Sequence, residues 1–112
     1  MKIANLTSDL IYNQDKPAIT VLFETDNTKE IRIAMSKNTT MKEHKTAFPI
    51  VVEVFEGEID FGVQGEIHTL TKGALIALEG EVPHDLLAKK DSIVRLTLTK
   101  KDEVSRVKNV VE

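Results

Sequence analysis

Cysteine is absent from the 112 residues, which removes disulfide scaffolds, thiolate metal sites and cysteine nucleophiles together. No long hydrophobic run occurs either. The longest is Ala74-Leu75-Ile76-Ala77-Leu78, far short of the ~20 residues a membrane-spanning helix needs. The start, Met1-Lys2-Ile3-Ala4-Asn5, lacks the continuous apolar stretch of a secretory signal. No membrane partner is expected, and the expected location is the cytoplasm. Charge of one sign is lacking as well: 15 Lys and Arg stand against 18 Asp and Glu, for a formal net charge of −3. That balance argues against nucleic-acid binding driven by phosphate neutralisation. No Gly-rich phosphate loop, nucleophile elbow or two-histidine helix motif is present, and there is no internal repeat, low-complexity stretch or linker.

What is present is enough for one core. Hydrophobic residues make up 41%, too many for intrinsic disorder, and the length suits a single domain over 1–112. The dominant period is two. Ala18 to Glu24 is rich in β-branched and aromatic residues and is followed by the turn formers Thr25-Asp26-Asn27-Thr28. Glu30 to Ser36 alternates strictly, with Ile31, Ile33 and Met35 on one face and Arg32, Ala34 and Ser36 on the other. A hairpin is the simplest connection between these two runs. Further strand candidates follow at Ile50 to Phe55, Glu58 to Val63, Glu66 to Leu70, Ala74 to Leu78, His84 to Ala88 and Ser92 to Thr99. Gly57, Gln64-Gly65, Lys72-Gly73 and Gly80 to Pro83 separate them. Short strands with turn signals every ~10 residues predict an all-β sandwich or barrel over about 18–99. Only Val104, Val107 and Val111, at i, i+3 and i+7, hint at a short C-terminal helix, against the low helix propensity of valine.

From about Lys37 to Thr99 the chain resembles the cupin family of small β-barrels. The family's first motif reads G-x5-H-x-H, then three or four residues, then E-x6-G. The second reads G-x5-P-x-G-x2-H-x3-N. Here the first is represented by Asn38 to Thr46, Ile50 and the Val54-Phe55-Glu56-Gly57-Glu58 stretch, the second by Gly73 to Ala88. The resemblance implies a cupin-type double-stranded β-helix, or jelly-roll, barrel of the RmlC-like kind. It also implies a metal site, whose four usual ligands fall on His44, Thr46, Ile50 and His84. Two of the four are histidines. Asn38 stands for the first glycine, which is tolerable because Asn visits left-handed backbone readily. Glu79, Glu81 and Ala88 stand for the second motif's Pro, Gly and Asn.

A catalytic zinc or iron site needs about three protein ligands and an open position. His44 and His84 can supply two imidazoles, expected to face each other across the barrel. Thr46 shares the side of His44 by strand alternation, but a neutral hydroxyl is a poor ligand and Ile50 offers none. Glu43 points away, and Glu81 lies in a turn from which it could swing in. Alternation from Ile50 places Val52 and Val54 inward, and Leu86 and Ala88 on the side of His84. The expected site is therefore an aliphatic pocket of Ile50, Val52, Val54 and Leu86 with His44, Thr46 and His84 as polar fixtures. Such a pocket suits a small, largely apolar ligand with one acceptor or anionic group; alternatively these residues simply fill a narrow barrel. For function, a small-molecule-binding protein with an incomplete metal site stands against a metal-dependent enzyme of the dioxygenase or isomerase kind. The enzyme would use His44, His84 and an unidentified ligand. The cofactor is correspondingly one weakly held divalent transition metal, or none.

His68 reads as a surface histidine. Glu53, Glu56, Glu58 and Asp60 read as a solvated rim, not an acid and base pair, because alternation splits them between faces and Gly57 breaks the run. Val51 and Phe55, outward on one strand, point to an oligomer; the resemblance to cupins implies a homodimer, to whose partner Leu10-Ile11-Tyr12 could add a strand.

Overall fold

In the computed structural model, residues 1–100 are described; the candidate helix at Val104, Val107 and Val111 lies outside them. The described chain forms nine strands and no helix: β1 Ala18–Glu24, β2 Thr28–Met35, β3 Thr40–His44, β4 Ile50–Glu56, β5 Glu58–Val63, β6 Glu66–Thr71, β7 Leu75–Leu78, β8 His84–Ala88 and β9 Ser92–Thr99. They make two antiparallel sheets, one ordered β1-β2-β9-β4-β7 and the other β3-β8-β5-β6, which face each other as a jelly roll. Accordingly, no described helix is long and apolar enough to cross a membrane.

The expected hairpin joins β1 to β2, its turn closed by Thr25 N–H to Thr28 O at 2.8 Å. Gln64 and Gly65, both with positive φ (53° and 78°), make the tight turn between β5 and β6. Asn38 also has a positive φ of 75°.

The core lies between the sheets. Ile31, Ile33, Met35, Ile50, Val52, Val54 and Val94 come from the larger sheet, and Ile59, Phe61, Leu86 and Ala88 from the smaller. Each set obeys the period-two rule, so one face of each strand is buried by the other sheet. The interior is thus filled by side chains, as in other small barrels.

The outer face of the larger sheet departs from simple alternation. Arg32, Ala34 and Ile93 point away from the core, yet all are buried, Arg32 to 5% exposure. The N-terminal arm is bonded to this face of β2. The Arg32 guanidinium donates to the carbonyls of Leu6, Ser8 and Asp9 at 3.2, 2.8 and 3.3 Å, and Ser36 Oγ donates to Asn13 O at 2.6 Å. Leu10, Ile11 and Tyr12 belong to this arm, which here is folded onto its own chain. Beside it, burial, Asp91 and Glu56 push the Tyr12 hydroxyl above its ordinary value, so the ring remains neutral.

Two further positions qualify the expected outward row. Val51 and Glu53 do point out, paired with Thr97 and Arg95, but Phe55 is the extra residue of a bulge between Val54 and Glu56. Both Val51 and Phe55 are half-buried. The most exposed hydrophobic strand residues of the core-facing parity are Ile19 (59%) and Val21 (50%) on the edge strand β1.

Gly57 passes the chain from one sheet to the other. Its φ is +94°, and a Cβ there would fall on Ser92 Oγ and lie 2.6 Å from Asp91 O. Ser92 is fully buried and bonds the Glu58 amide at 3.0 Å and Lys90 O at 2.7 Å, so it has no room to yield. Gly57→Ala is therefore expected to cost roughly 2–4 kcal/mol. Gly65→Ala, also at positive φ but in open space, should cost only about 1 kcal/mol. Urea midpoints of the two variants at unchanged slope check the difference.

Candidate functional site

The site begins with an irregularity in β3. Thr40 pairs with Leu87 and Met41 with Leu86, but His44 pairs with His84. Lys42 and Glu43 together therefore oppose the single residue Asp85, which makes a one-residue bulge. Without it, Met41 and His44, three apart, would lie on opposite faces of the strand. With it, both face inward.

His44 and His84 are thus direct cross-strand partners within one sheet, not residues facing each other across the barrel. Their ring centroids are 4.4 Å apart and tilted by 59°. The fully buried Phe61 stacks on His84 from the neighbouring strand, 5.5 Å away and nearly parallel at 9°. His84 is 3% exposed, while His44 is half-buried at the rim.

Each imidazole makes the same local hydrogen bond. His44 Nδ1 lies 2.7 Å from Lys42 O, and His84 Nδ1 lies 2.9 Å from Val82 O. A carbonyl only accepts, so each Nδ1 carries the hydrogen and each neutral ring keeps its lone pair on Nε2. For His84 the neutral form is favoured: burial foremost, and the neighbouring His44, push its value below the ordinary 6.5, against the opposing pull of the Val82 carbonyl and Asp85.

The rings border a cavity of about 20 Å³ whose other walls are Ile33, Met41, Val52, Leu86, Val94 and Leu96. That is room for about one water-sized atom. Of the residues expected to form the pocket, His44, Val52, His84 and Leu86 are brought together here. Thr46, Ile50 and Val54 are not. Thr46 Oγ1 donates to Phe48 O at 2.9 Å in the loop after β3, and Val54 is fully buried core. Ile50, also buried, sits at the end of β4 beside a larger open groove of about 390 Å³ with Pro49, Ala77 and Thr97. That groove lies away from both histidines.

Met41 is the residue that alternation misses. Counting back from His44 by twos assigns it to the opposite face, and only the bulge reverses this. No local signal in Met41-Lys42-Glu43-His44 announces the extra residue.

The loops above the cavity are latched to each other. Glu81 N–H donates to Thr46 O at 2.7 Å, and Lys45 Nζ meets Glu81 at 3.1 Å. Gly80 packs so closely that a Cβ would fall on Ala47 O. Glu81 itself has a φ of 68°, the left-handed conformation that glycine adopts without cost. Its carboxylate is occupied by Lys45, outside the cavity.

Among the described residues, no carboxylate borders the cavity. Glu43 and Asp85 line a groove with Gly62 and Glu66 on the outside of the smaller sheet. Glu53 accepts from Arg95 Nε at 2.8 Å, and Asp60 accepts from Thr69 Oγ1 at 2.9 Å. Glu56 is 3.7 Å from Lys72 Nζ. His68 is exposed, 3.5 Å from Glu66 on the edge strand β6. Among the described residues no three His, Cys, Asp or Glu side chains cluster to hold a metal ion. The divalent-metal set that the resemblance implies therefore does not fit: two neutral imidazoles have no third nitrogen or anionic oxygen beside them.

The two-sheet topology is that of a cupin fold. An RmlC-like cupin from Desulfovibrio desulfuricans superposes with a TM-score of 0.81 at 22% identity, over 88% of this chain and 96% of that one. An RmlC-like cupin from Shewanella frigidimarina gives 0.69 at 23%, over 78% of each chain. A conserved protein of unknown function from Streptococcus pyogenes gives 0.77 at 19%, over 90% and 89%. At these identities the likeness is one of fold. No family model matches the sequence, and neither does any curated protein.

The lowered His84 value fixes a pH dependence. Below the unfolded value of 6.5 the unfolded chain binds a proton that the folded ring still refuses. Stability therefore falls as pH drops through 6.5 towards the folded value and levels off beneath it. His84→Gln should remove this component. Urea midpoints of wild type and variant, followed from about pH 8 to about pH 5, should converge as the wild type loses its advantage; parallel curves would contradict the assignment.

Proposed function

We propose that the protein is a cupin-fold binding protein without a catalytic metal, holding a small ligand through one hydrogen-donating or cationic group placed between His44 and His84. One observation carries this reading. Both Nδ1 atoms are committed to backbone carbonyls, so the acceptor left on each neutral ring is its Nε2 lone pair, and both rings border one small apolar cavity. A group that accepts electron density fits those lone pairs better than the acceptor or anion that histidines as such suggest. The cavity admits only one such group, so the body of an organic ligand would rest under the latched loops at Thr46 and Glu81, which must part to admit it.

The metal-dependent enzyme reading needs a third nitrogen or anionic oxygen, which among the described residues none beside the pair supplies. Two measurements separate the readings. Elemental analysis after reconstitution with iron, manganese, nickel or zinc should find no stoichiometric divalent metal. A screen of small amines and alcohols should raise the melting temperature of the wild type but not of His44→Leu. At a ligand concentration of 100 times Kd the gain is about 2.7 kcal/mol, some 4–8 °C for a domain of this size. One equivalent of a divalent metal per chain, lost on replacing both histidines by alanine, would return the enzyme reading.

A further inference from the structure

We propose that the open groove on the outer face of the larger sheet is the docking site of this chain's own C-terminal segment, residues 101–112. The inference is independent of the histidine cavity, which lies on the inner side of that sheet.

The groove, of about 390 Å³, lies over one cross-strand row. Ala77 pairs with Val51 and Val51 with Thr97, and these three line it together with Pro49, Leu78 and Thr99. Val51 sits between the core residues Ile50 and Val52, so by alternation this row faces away from the core. The next row is Leu75, Glu53 and Arg95, where the ion pair of Glu53 with Arg95 at 2.8 Å bounds the apolar surface. On the other half of the same face, the N-terminal arm is bonded to Arg32 of β2. No described residue of that arm lines the groove, and Ala77 is exposed.

Strand β9 delivers the C-terminal segment to this place. Thr97 and Thr99 are walls of the groove and lie at the end of β9. That end is fixed: Thr99 N–H donates to Pro49 O at 3.2 Å and Lys100 N–H to Asn27 O at 2.9 Å. Residue 101 therefore starts beside the groove. Strands β4 and β7 lie about 5 and about 10 Å from β9, whereas the five residues from Thr99 to Val104 can span about 17 Å. Val104 and the valines after it, Val107, Val110 and Val111, are thus within reach of the whole row.

Affinity and charge both favour this occupant. Removing valine and the Ala77–Val51–Thr97 row from water together is favourable. A tethered segment also competes at an effective concentration of about millimolar, which a separate molecule seldom matches. Glu79 is the groove's single ionised residue and enters no ion pair among the described residues. Arg106 and Lys108 flank Val107 and supply the opposite charge.

The chain has no cysteine, so a disulfide reports only an introduced pair. Ala77→Cys is combined in the full chain with Val104→Cys, Val107→Cys or Val111→Cys, and each pair is oxidised in dilute solution. The expected result is a disulfide within one chain for at least one pair, at a rate independent of protein concentration. Ile67→Cys with Val107→Cys, which places the first thiol on an exposed strand of the other sheet, should react about tenfold more slowly. Val107→Asp should lower the melting temperature by about 4 °C or more. Ala77→Asp should lower it too, and the double variant should fall no further than the lower single one, because the segment is already released. A disulfide formed only between two chains would make the groove a contact between copies and overturn the proposal. So would Ala77→Cys pairs that react no faster than the control, Val107→Asp at the wild-type melting temperature, or fully additive losses.

Discussion

The bulge at Lys42 and Glu43 is the constraint on which the site depends. A regular β3 would leave either Met41 or His44 facing solvent, and the two histidines would not be cross-strand partners. Inserting one residue against Asp85 restores both to the interior and frees the Lys42 carbonyl to receive His44 Nδ1–H. The same register sends Glu43 and Asp85 to the outer surface. One local irregularity therefore sets which side chains border the cavity, the Nδ1–H tautomer of His44 and the outward course of two carboxylates at once. Bulges commonly re-aim side chains in this way.

Neutrality has consequences for stability as well as chemistry. A buried charge needs partners, and the two buried basic residues meet this demand differently. His84 avoids it by staying unprotonated between Phe61 and His44. Arg32 cannot lose its proton, and it is buried with three backbone carbonyls and no carboxylate in hydrogen-bonding contact, its Nε left without a partner. The carbonyls of the N-terminal arm thus satisfy most of the guanidinium donors. The arm's position over β2 and Arg32's burial are two sides of one arrangement. Arg95, by contrast, is only half-buried and is flanked by Glu53 and Glu30, which raise its already high value.

Much of the fold was legible because strand periodicity and turn residues are local signals. Ile31, Ile33 and Met35 face the core as the alternation of β2 requires, and Gly57, Gly65 and Gly73 all adopt positive φ at the turns they mark. What escaped was non-local. Arg32 and Ala34 share the face of β2 opposite Ile31, Ile33 and Met35, yet both are buried, and a segment some twenty residues upstream folds over that face to bond Arg32. The site was half legible for the same reason. His44 and His84 stand out as residue types, but their adjacency in one sheet depends on which strands pair, and Met41 depends on a bulge. Val54 and Ile50 share the inward parity of Val52, yet their places along β4 put them beyond the cavity.

The positions where the sequence departs from the cupin motifs divide by physical role. Those that fix backbone shape keep the shape with a different residue: Asn38 and Glu81 stand for glycine and both adopt the left-handed conformation, at 75° and 68°. Those that would hold a metal have taken up structural work. Thr46 ties its hydroxyl to Phe48 O, and Ile50 is 3% exposed in the core. Backbone conformation is a steric requirement that any residue able to bear the strain can meet, whereas ligation depends on one particular donor atom. A barrel can therefore lose two donors and keep its architecture. What remains is set by the donors left behind, a pair of imidazoles in an apolar recess with a thioether beside them. A carboxylate substituted into that recess, such as Leu86→Glu, would have to carry a buried charge against the same neutral walls. The cost of that burial, several kcal/mol without a bound cation, is the physical reason why restoring an acidic ligand and admitting a divalent metal must occur together.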